Sequence, residues 1–216
     1  MASKKKLLQA AAGSAGGAGL DVDEVFSTYL YTGDSTSPRT ITNGIDLSGE
    51  GGLVWFKSRT TTTFHGLFDT ERGATKRLRS DSTNAEDTLA SDLTAFNSDG
   101  FTLGNGGTTN TSPREYASWT WRKAPKFFDV VTWTGNGVDG RAINHNLGSV
   151  PGMIIVKDYS NTGENWTVYH RGIDVNGDNA PETDGIYLNT TGAAGDESCL
   201  WIRRPPRSTQ FTVGVN

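Results

Sequence analysis

The chain of 216 residues carries a single cysteine, Cys199. One thiol excludes an internal disulfide framework and a multi-cysteine zinc site, and it fits folding in a reducing cytosol. Long apolar runs are also missing: nothing approaches the ~20 residues of a membrane span, so membrane insertion is not expected. The opening Met1-Ala2-Ser3-Lys4-Lys5-Lys6-Leu7-Leu8-Gln9 imitates the charged start of a signal peptide. Gln9 and the glycines of 13–19 interrupt it before the roughly 7–15 apolar residues that export needs. Excess positive charge is lacking as well, with Lys+Arg 20 against Asp+Glu 24 and a net charge of -4. A protein that neutralises many phosphates needs a basic surface, so no nucleic-acid partner is expected. Helical patterning is confined to residues 5–12, too short to be stable alone.

What is present points to strands. Hydrophobic residues make up only 34%, yet the chain holds 6 Trp, 6 Tyr and 9 Phe. Disordered segments are poor in aromatics, so the chain is expected to build a core. Turn signals punctuate it: Thr42-Asn43-Gly44, Asn97-Ser98-Asp99-Gly100, Asn136-Gly137 and Asn176-Gly177-Asp178. Asn-Gly and Asp-Gly reach positive φ at little cost, as tight hairpins require. Many short strands with regular turns predict an all-β sandwich or barrel. The apolar runs 53–57 and 153–157 predict central strands covered on both faces, and 93–103 predicts a hairpin.

The strongest feature is an internal repeat. Phe26-Ser27-Thr28-Tyr29-Leu30-Tyr31-Thr32-Gly33 is answered by Phe128-Asp129-Val130-Val131-Thr132-Trp133-Thr134-Gly135. Ile41-Thr42-Asn43-Gly44 is answered by Ile143-Asn144-His145-Asn146, and Leu53-Val54-Trp55-Phe56-Lys57 by Met153-Ile154-Ile155-Val156-Lys157. Phe64-His65 aligns with Tyr169-His170, Leu78-Arg79 with Leu188-Asn189, and Phe101-Thr102-Leu103-Gly104 with Phe211-Thr212-Val213-Gly214. Ordered blocks at a spacing of about one hundred residues predict two tandem modules. The expected organisation is an arm and Gly-rich tether (1–20), a first module (21–124) and a second (125–216), with Arg122-Lys123-Ala124-Pro125 as linker. Only the first copy has Tyr116-Ala117-Ser118-Trp119-Thr120-Trp121, which alternates large and small residues as a half-buried strand does. The expectation is that the second copy lacks its last strand. Either the natural chain runs on past Asn216 or another strand fills the gap, because an open apolar edge invites aggregation.

The pattern Tyr-Thr-Gly, apolar-Lys, aromatic-His, Phe-Thr-Leu-Gly and Tyr-Ala-Ser-Trp resembles the repeated domain of unknown function in virion proteins of marine phages, especially cyanophages. Met1-Ala2-Ser3-Lys4-Lys5-Lys6-Leu7-Leu8-Gln9-Ala10-Ala11-Ala12-Gly13 is similar to the starts of cyanophage members. Asp69-Thr70-Glu71-Arg72-Gly73 and Asn146-Leu147-Gly148-Ser149-Val150-Pro151-Gly152 resemble the family too. The resemblance implies lectin-like (concanavalin-like) β-sandwich modules and a place on the phage particle, as a tail fibre, tail-associated protein or capsid decoration. It implies no catalytic residue and no cofactor. Synthesis would be in the host cytoplasm. Lys4, Lys5, Lys6, Leu7 and Leu8 are the expected anchor to other virion proteins. Closed symmetry predicts a homo-oligomer, trimeric in a fibre. Host attachment would work through many weak tethered contacts.

Residue chemistry adds little to that picture. No Gly-x-Ser-x-Gly motif is present. His65 and His170, at matching repeat positions beside aromatics, suggest a shared packing role, and His145 has no evident partner. Asp69 with Glu71, and Glu182 with Asp184, have the spacing of a carboxylate pair on one strand face, which leaves a glycan depolymerase as an alternative reading, but neither pair recurs in the other copy. Pairing with Arg72, Lys76 or solvent is the simpler account. Asp174-Val175-Asn176-Gly177-Asp178-Asn179 starts like a calcium loop but departs from it at the later positions, so no metal is expected. Arg203, Arg204 and Arg207 around Pro205-Pro206 read as a solvated loop. For a host-surface glycan, the candidate contacts are Trp166, beside a polar loop, with Asn165 and Tyr169. Packing carries more weight even there.

Overall fold

The computed structural model describes residues 19–196 and 204–214. The proposed anchor Lys4 to Leu8 lies outside the described residues, as do Cys199 and Arg203. Within them the chain is all-β, with helix limited to one turn at Val22–Val25 and a 3-10 turn at Pro181–Thr183.

The first half forms β1 (Phe26–Thr32), β2 (Arg39–Thr42), β3 (Gly52–Ser58), β4 (Gly66–Asp69), β5 (Lys76–Arg77), β6 (Asp87–Thr88), β7 (Leu93–Asn97), β8 (Gly100–Leu103) and β9 (Glu115–Arg122). One antiparallel sheet has the order β1-β9-β3-β4, a second β2-β8-β7, and β5 pairs with β6. A bridge between Leu67 and Leu78 connects β4 to the β5 side. Ile41, Leu93, Phe101 and Leu103 from the second sheet bury against Val54, Phe56 and Phe68 from the first. Phe56 meets Phe68 and Phe101 edge-on at 5.9 and 5.2 Å, an arrangement that aromatic quadrupoles favour. As expected, β3 is central, between β9 and β4; the other apolar run is not, because Met153–Val156 forms an edge strand whose Met153 and Ile155 are exposed, so continuous apolarity there does not mean cover on both faces. Residues 93–103 form the expected hairpin; Gly100 (φ 150°) must be glycine, since a Cβ there would lie 2.0 Å from the Ile41 carbonyl oxygen.

The alternation in β9 works opposite to its size pattern. Its fully buried face is Tyr116, Ser118 and Thr120, while Trp119 and Trp121 are half-buried on the other face. The hydroxyls tolerate burial because they are bonded: Thr120 Oγ1 accepts from Asn43 Nδ2 at 2.9 Å. The outward indoles flank Trp55 at 6.2 and 6.3 Å.

The second half forms β10 (Arg141–Asn144), β11 (Met153–Val156), β12 (Thr167–His170), β13 (Asp184–Tyr187), β14 (Gly195–Asp196) and β15 (Gln210–Val213). It repeats the first half's strand pairing. Ile41 opposite Phe101 becomes Ile143 opposite Phe211, and Val54 opposite Phe68 becomes Ile154 opposite Tyr169. Lys76 opposite Thr88 becomes Asp184 opposite Asp196. This register corrects two of the sequence alignments. Tyr169-His170 corresponds to Phe68-Asp69 rather than Phe64-His65, so His65 and His170 are not equivalent. Leu78, opposite Leu67, corresponds to Ile186, opposite Val168, rather than to Leu188. Similar dipeptides in the wrong register mask the true one, which backbone pairing alone defines.

The halves are not independent beads. Trp166 of the second is 6% exposed and packs with Leu67 and Leu78 of the first, with Leu53, Trp55 and Tyr159 around them. Its indole Nε1 donates to the Arg79 carbonyl at 2.8 Å. Glu86 N donates to Tyr159 O and Gly163 N to Thr83 O. Lys123, in the linker, bridges Glu71 and Asp129. Trp166→Ala is expected to cost about 3–5 kcal/mol in urea denaturation, because it opens a cavity at this junction. Trp166→Phe, which loses mainly the donor to Arg79, should cost about 1–3 kcal/mol. A Trp166→Ala loss within about 0.5 kcal/mol of zero would show that the junction contributes no cohesion.

Candidate functional site

A cleft of about 690 Å³ opens in the first half where the loop before β4, the β5–β6 pair and the loop after β8 meet. Its lining includes Arg77, which belongs to a charged network behind the cleft. Arg77 grips Asp87 with two nitrogens, Nε to Oδ1 at 3.0 Å and Nη2 to Oδ2 at 2.6 Å, and its Nη1 donates to Thr108 Oγ1 at 2.7 Å. Arg79 Nη2 also reaches Asp87, at 2.5 Å. Burial would raise the Asp87 carboxyl, but the hydrogen bonds and charge of Arg77 and Arg79 outweigh it and hold it below 3.8. The Arg79 guanidinium lies 5.1 Å from the centre of the Phe64 ring, a cation–π contact. Phe64 is 53% exposed at the mouth.

Beneath lies Asp92, 2% exposed. Its Oδ1 accepts from Thr108 N at 3.2 Å and Thr109 Oγ1 at 3.4 Å, while Oδ2 has no partner among the described residues. Gly106 is required above it, because a Cβ there would sit 1.7 Å from Oδ1. Burial pushes the Asp92 carboxyl above 3.8, only partly opposed by Thr108, Arg77 and Thr109. The cleft wall adds Thr62, Thr63, Thr88, Ser91 and Arg114. Hydroxyls and guanidiniums under one exposed ring suit a hydroxyl-rich ligand with an apolar face.

The residues singled out by sequence lie elsewhere. Trp166 is buried in the junction. Tyr169 is buried in the second core with Ile143 and Phe211. Asn165 is half-buried, its Oδ1 accepting from Asn189 Nδ2 at 2.8 Å. All three therefore serve packing in this structure. Asp69 is buried and ion-paired to Arg72 at 2.6 Å, and Glu71 pairs with Lys123, so the two carboxylates have separate partners. Asp184 is buried and accepts from Val175 N. In 174–179, Asp174 and Asp178 accept backbone N–H groups as Asx turns do, and no metal-holding group of His, Cys, Asp or Glu occurs among the described residues.

Two of the three histidines are committed to structure, while His170 is exposed and its ring accepts only from Gly172 N, at 3.1 Å, among the described residues, so the expected packing role does not extend to it. His65 Nδ1 accepts from Trp55 Nε1 at 2.7 Å, and burial, partly opposed by Asp81, pushes its pKa below 6.5. His145 Nε2 bonds the Arg207 carbonyl at 3.1 Å and the ring stacks on Phe211. Sequence reasoning passes over Arg77, Asp87 and Asp92. The available signal is an aspartate opening an apolar hairpin, followed by Gly106-Gly107-Thr108-Thr109.

Asp92 generates a pH prediction. Its folded pKa is raised, so protonation favours the fold. The stability it contributes is full below about pH 4 and is lost as pH rises through the folded value. Asp92→Asn should therefore exceed the wild type in stability at about pH 7, and the gain should shrink toward about pH 4. Urea midpoints at both pH values test this; a gain that grows on acidification would contradict the assignment.

No helix among the described residues is long and apolar enough to cross a membrane. Comparison with curated proteins finds no match, and no solved structure matches. One family model does match, over residues 21–216, and the chain belongs to that family, described as Domain of unknown function (DUF7483).

Proposed function

We propose that this chain is a non-enzymatic structural protein of a phage particle: two lectin-like β-sandwich modules, anchored through residues 1–20, that project as a spike, fibre or decoration and aid host-surface attachment. The resemblance of its repeated motifs to marine phage virion proteins is the source of the virion assignment. The structural observation that supports the architecture is the Trp166 junction, which packs the second repeat against the first. Tandem units packed on each other in this way suit projection from a surface. The partners are other virion proteins and further copies of the chain, with a trimer expected in a fibre.

Mass spectrometry and immunogold imaging of purified particles test the placement. The chain should co-purify with particles, and replacing Lys4, Lys5 and Lys6 by Glu should release it. A chain found only in the soluble lysate overturns the proposal.

A second reading, glycan binding, is favoured by the cleft. Exposed aromatics stack on sugar faces, and hydroxyls and guanidiniums bond sugar oxygens. On a glycan array, Phe64→Ala is expected to weaken binding by about tenfold or more. Arg114→Ala should weaken it in the same direction. Equal binding by both variants, or no binding by the wild type, removes this reading.

A further inference from the structure

The arginines of the first half are matched by carboxylates with one exception. Arg39 pairs with Asp34, Arg59 with Glu115, Arg72 with Asp69 and Glu86, Arg77 and Arg79 with Asp87, and Arg122 with Glu50. Arg114 has no carboxylate partner among the described residues. It is half-buried and lines the cleft together with Thr62, Thr63 and Phe64. Its Nη1 donates to the Gly107 carbonyl at 3.3 Å, which ties the guanidinium to the cleft wall. Nε and Nη2 have no partner among the described residues. These two nitrogens form one edge of the guanidinium, and their parallel N–H groups match the two oxygens of a carboxylate.

The other charges on the lining are already accounted for. Arg77 grips Asp87 with two nitrogens. Asp92 is 2% exposed, its Oδ1 accepts from Thr108 and Thr109, and burial pushes its carboxyl toward the neutral form. Arg114 is therefore the unmatched charge of the cleft. The fold itself does not call for this polar lining. In the second half Gly185 and Gly195 stand opposite each other where the first half has Arg77 and Asp87.

We propose that the cleft selects acidic glycans, with the carboxylate of a uronic-acid sugar held by Arg114 Nε and Nη2 and an apolar sugar face lying on Phe64. This inference rests on the glycan reading of the cleft and adds the charge of the ligand to it. A half-enclosed site strengthens the ion pair, because water competes less there than at an open surface. The chain as a whole carries a net charge of -4, so unspecific attraction of polyanions would not produce the preference.

The test places the full chain on an array of uronic-acid oligosaccharides, their methyl esters, and neutral and sulfated oligosaccharides. The acids should bind about tenfold or more tightly than their esters. Arg114→Gln should remove that preference and leave binding of the esters unchanged. Arg114→Lys, which keeps the charge and loses the fork, should restore only part of it. Arg171→Gln removes the same charge from an exposed position in the second half and should bind as the wild type does. Equal binding of acids and esters, a preference that survives Arg114→Gln, or a preference for sulfated over carboxylated sugars overturns the proposal. If acids and esters bind equally and Phe64→Ala weakens both, the glycan reading stands and only the selection of acids falls. If no sugar binds, both fall.

Discussion

The indole of Trp166 reaches out of its own module and is buried in the other. Burying a tryptophan is favourable only if its N–H finds an acceptor, and here the Arg79 carbonyl provides it. The contact does more than join two repeats. Arg79 is also the residue whose guanidinium lies over Phe64 and bonds Asp87, so the junction holds a residue that touches the ring at the cleft mouth. Packing from the second half thus holds in place an arginine that shapes a surface of the first.

Arg72, near this junction, follows the same logic of mutual satisfaction. Arg72 is nearly inaccessible, yet it bonds Asp69, Glu86 and the carbonyls of Lys76 and Leu67. A guanidinium can be buried only when its donors are met, and removing one partner strands the rest. That network fixes the turn after β4 and with it the approach of β5, whose Arg77 lines the cleft. Asp92, with one oxygen unpartnered among the described residues, departs from the pattern, and burial raises its pKa.

Much of the fold is legible in the amino-acid sequence. The all-β class follows from short aromatic-rich runs between Asn-Gly and Asp-Gly turns, and the order of the repeat blocks survives in matched strand pairings. The cleft is not legible, because Phe64, Arg77, Asp87 and Thr108 come together only through β4, β5, β6 and a distant loop. Trp166 looks like a surface contact because its neighbours along the chain are polar. Its neighbours in space, Leu67 and Leu78, belong to the other repeat.

The amino-acid sequence by itself determined the strand class, the duplication and the turn positions, since these depend on local alternation and on backbone conformations that few residues adopt. Only the tertiary structure decided which register pairs the strands, which face of β9 lies inside, and that the repeats share a core. Those outcomes depend on contacts between residues far apart in the chain. A shift of one residue, invisible in composition, turns every side chain to the opposite face.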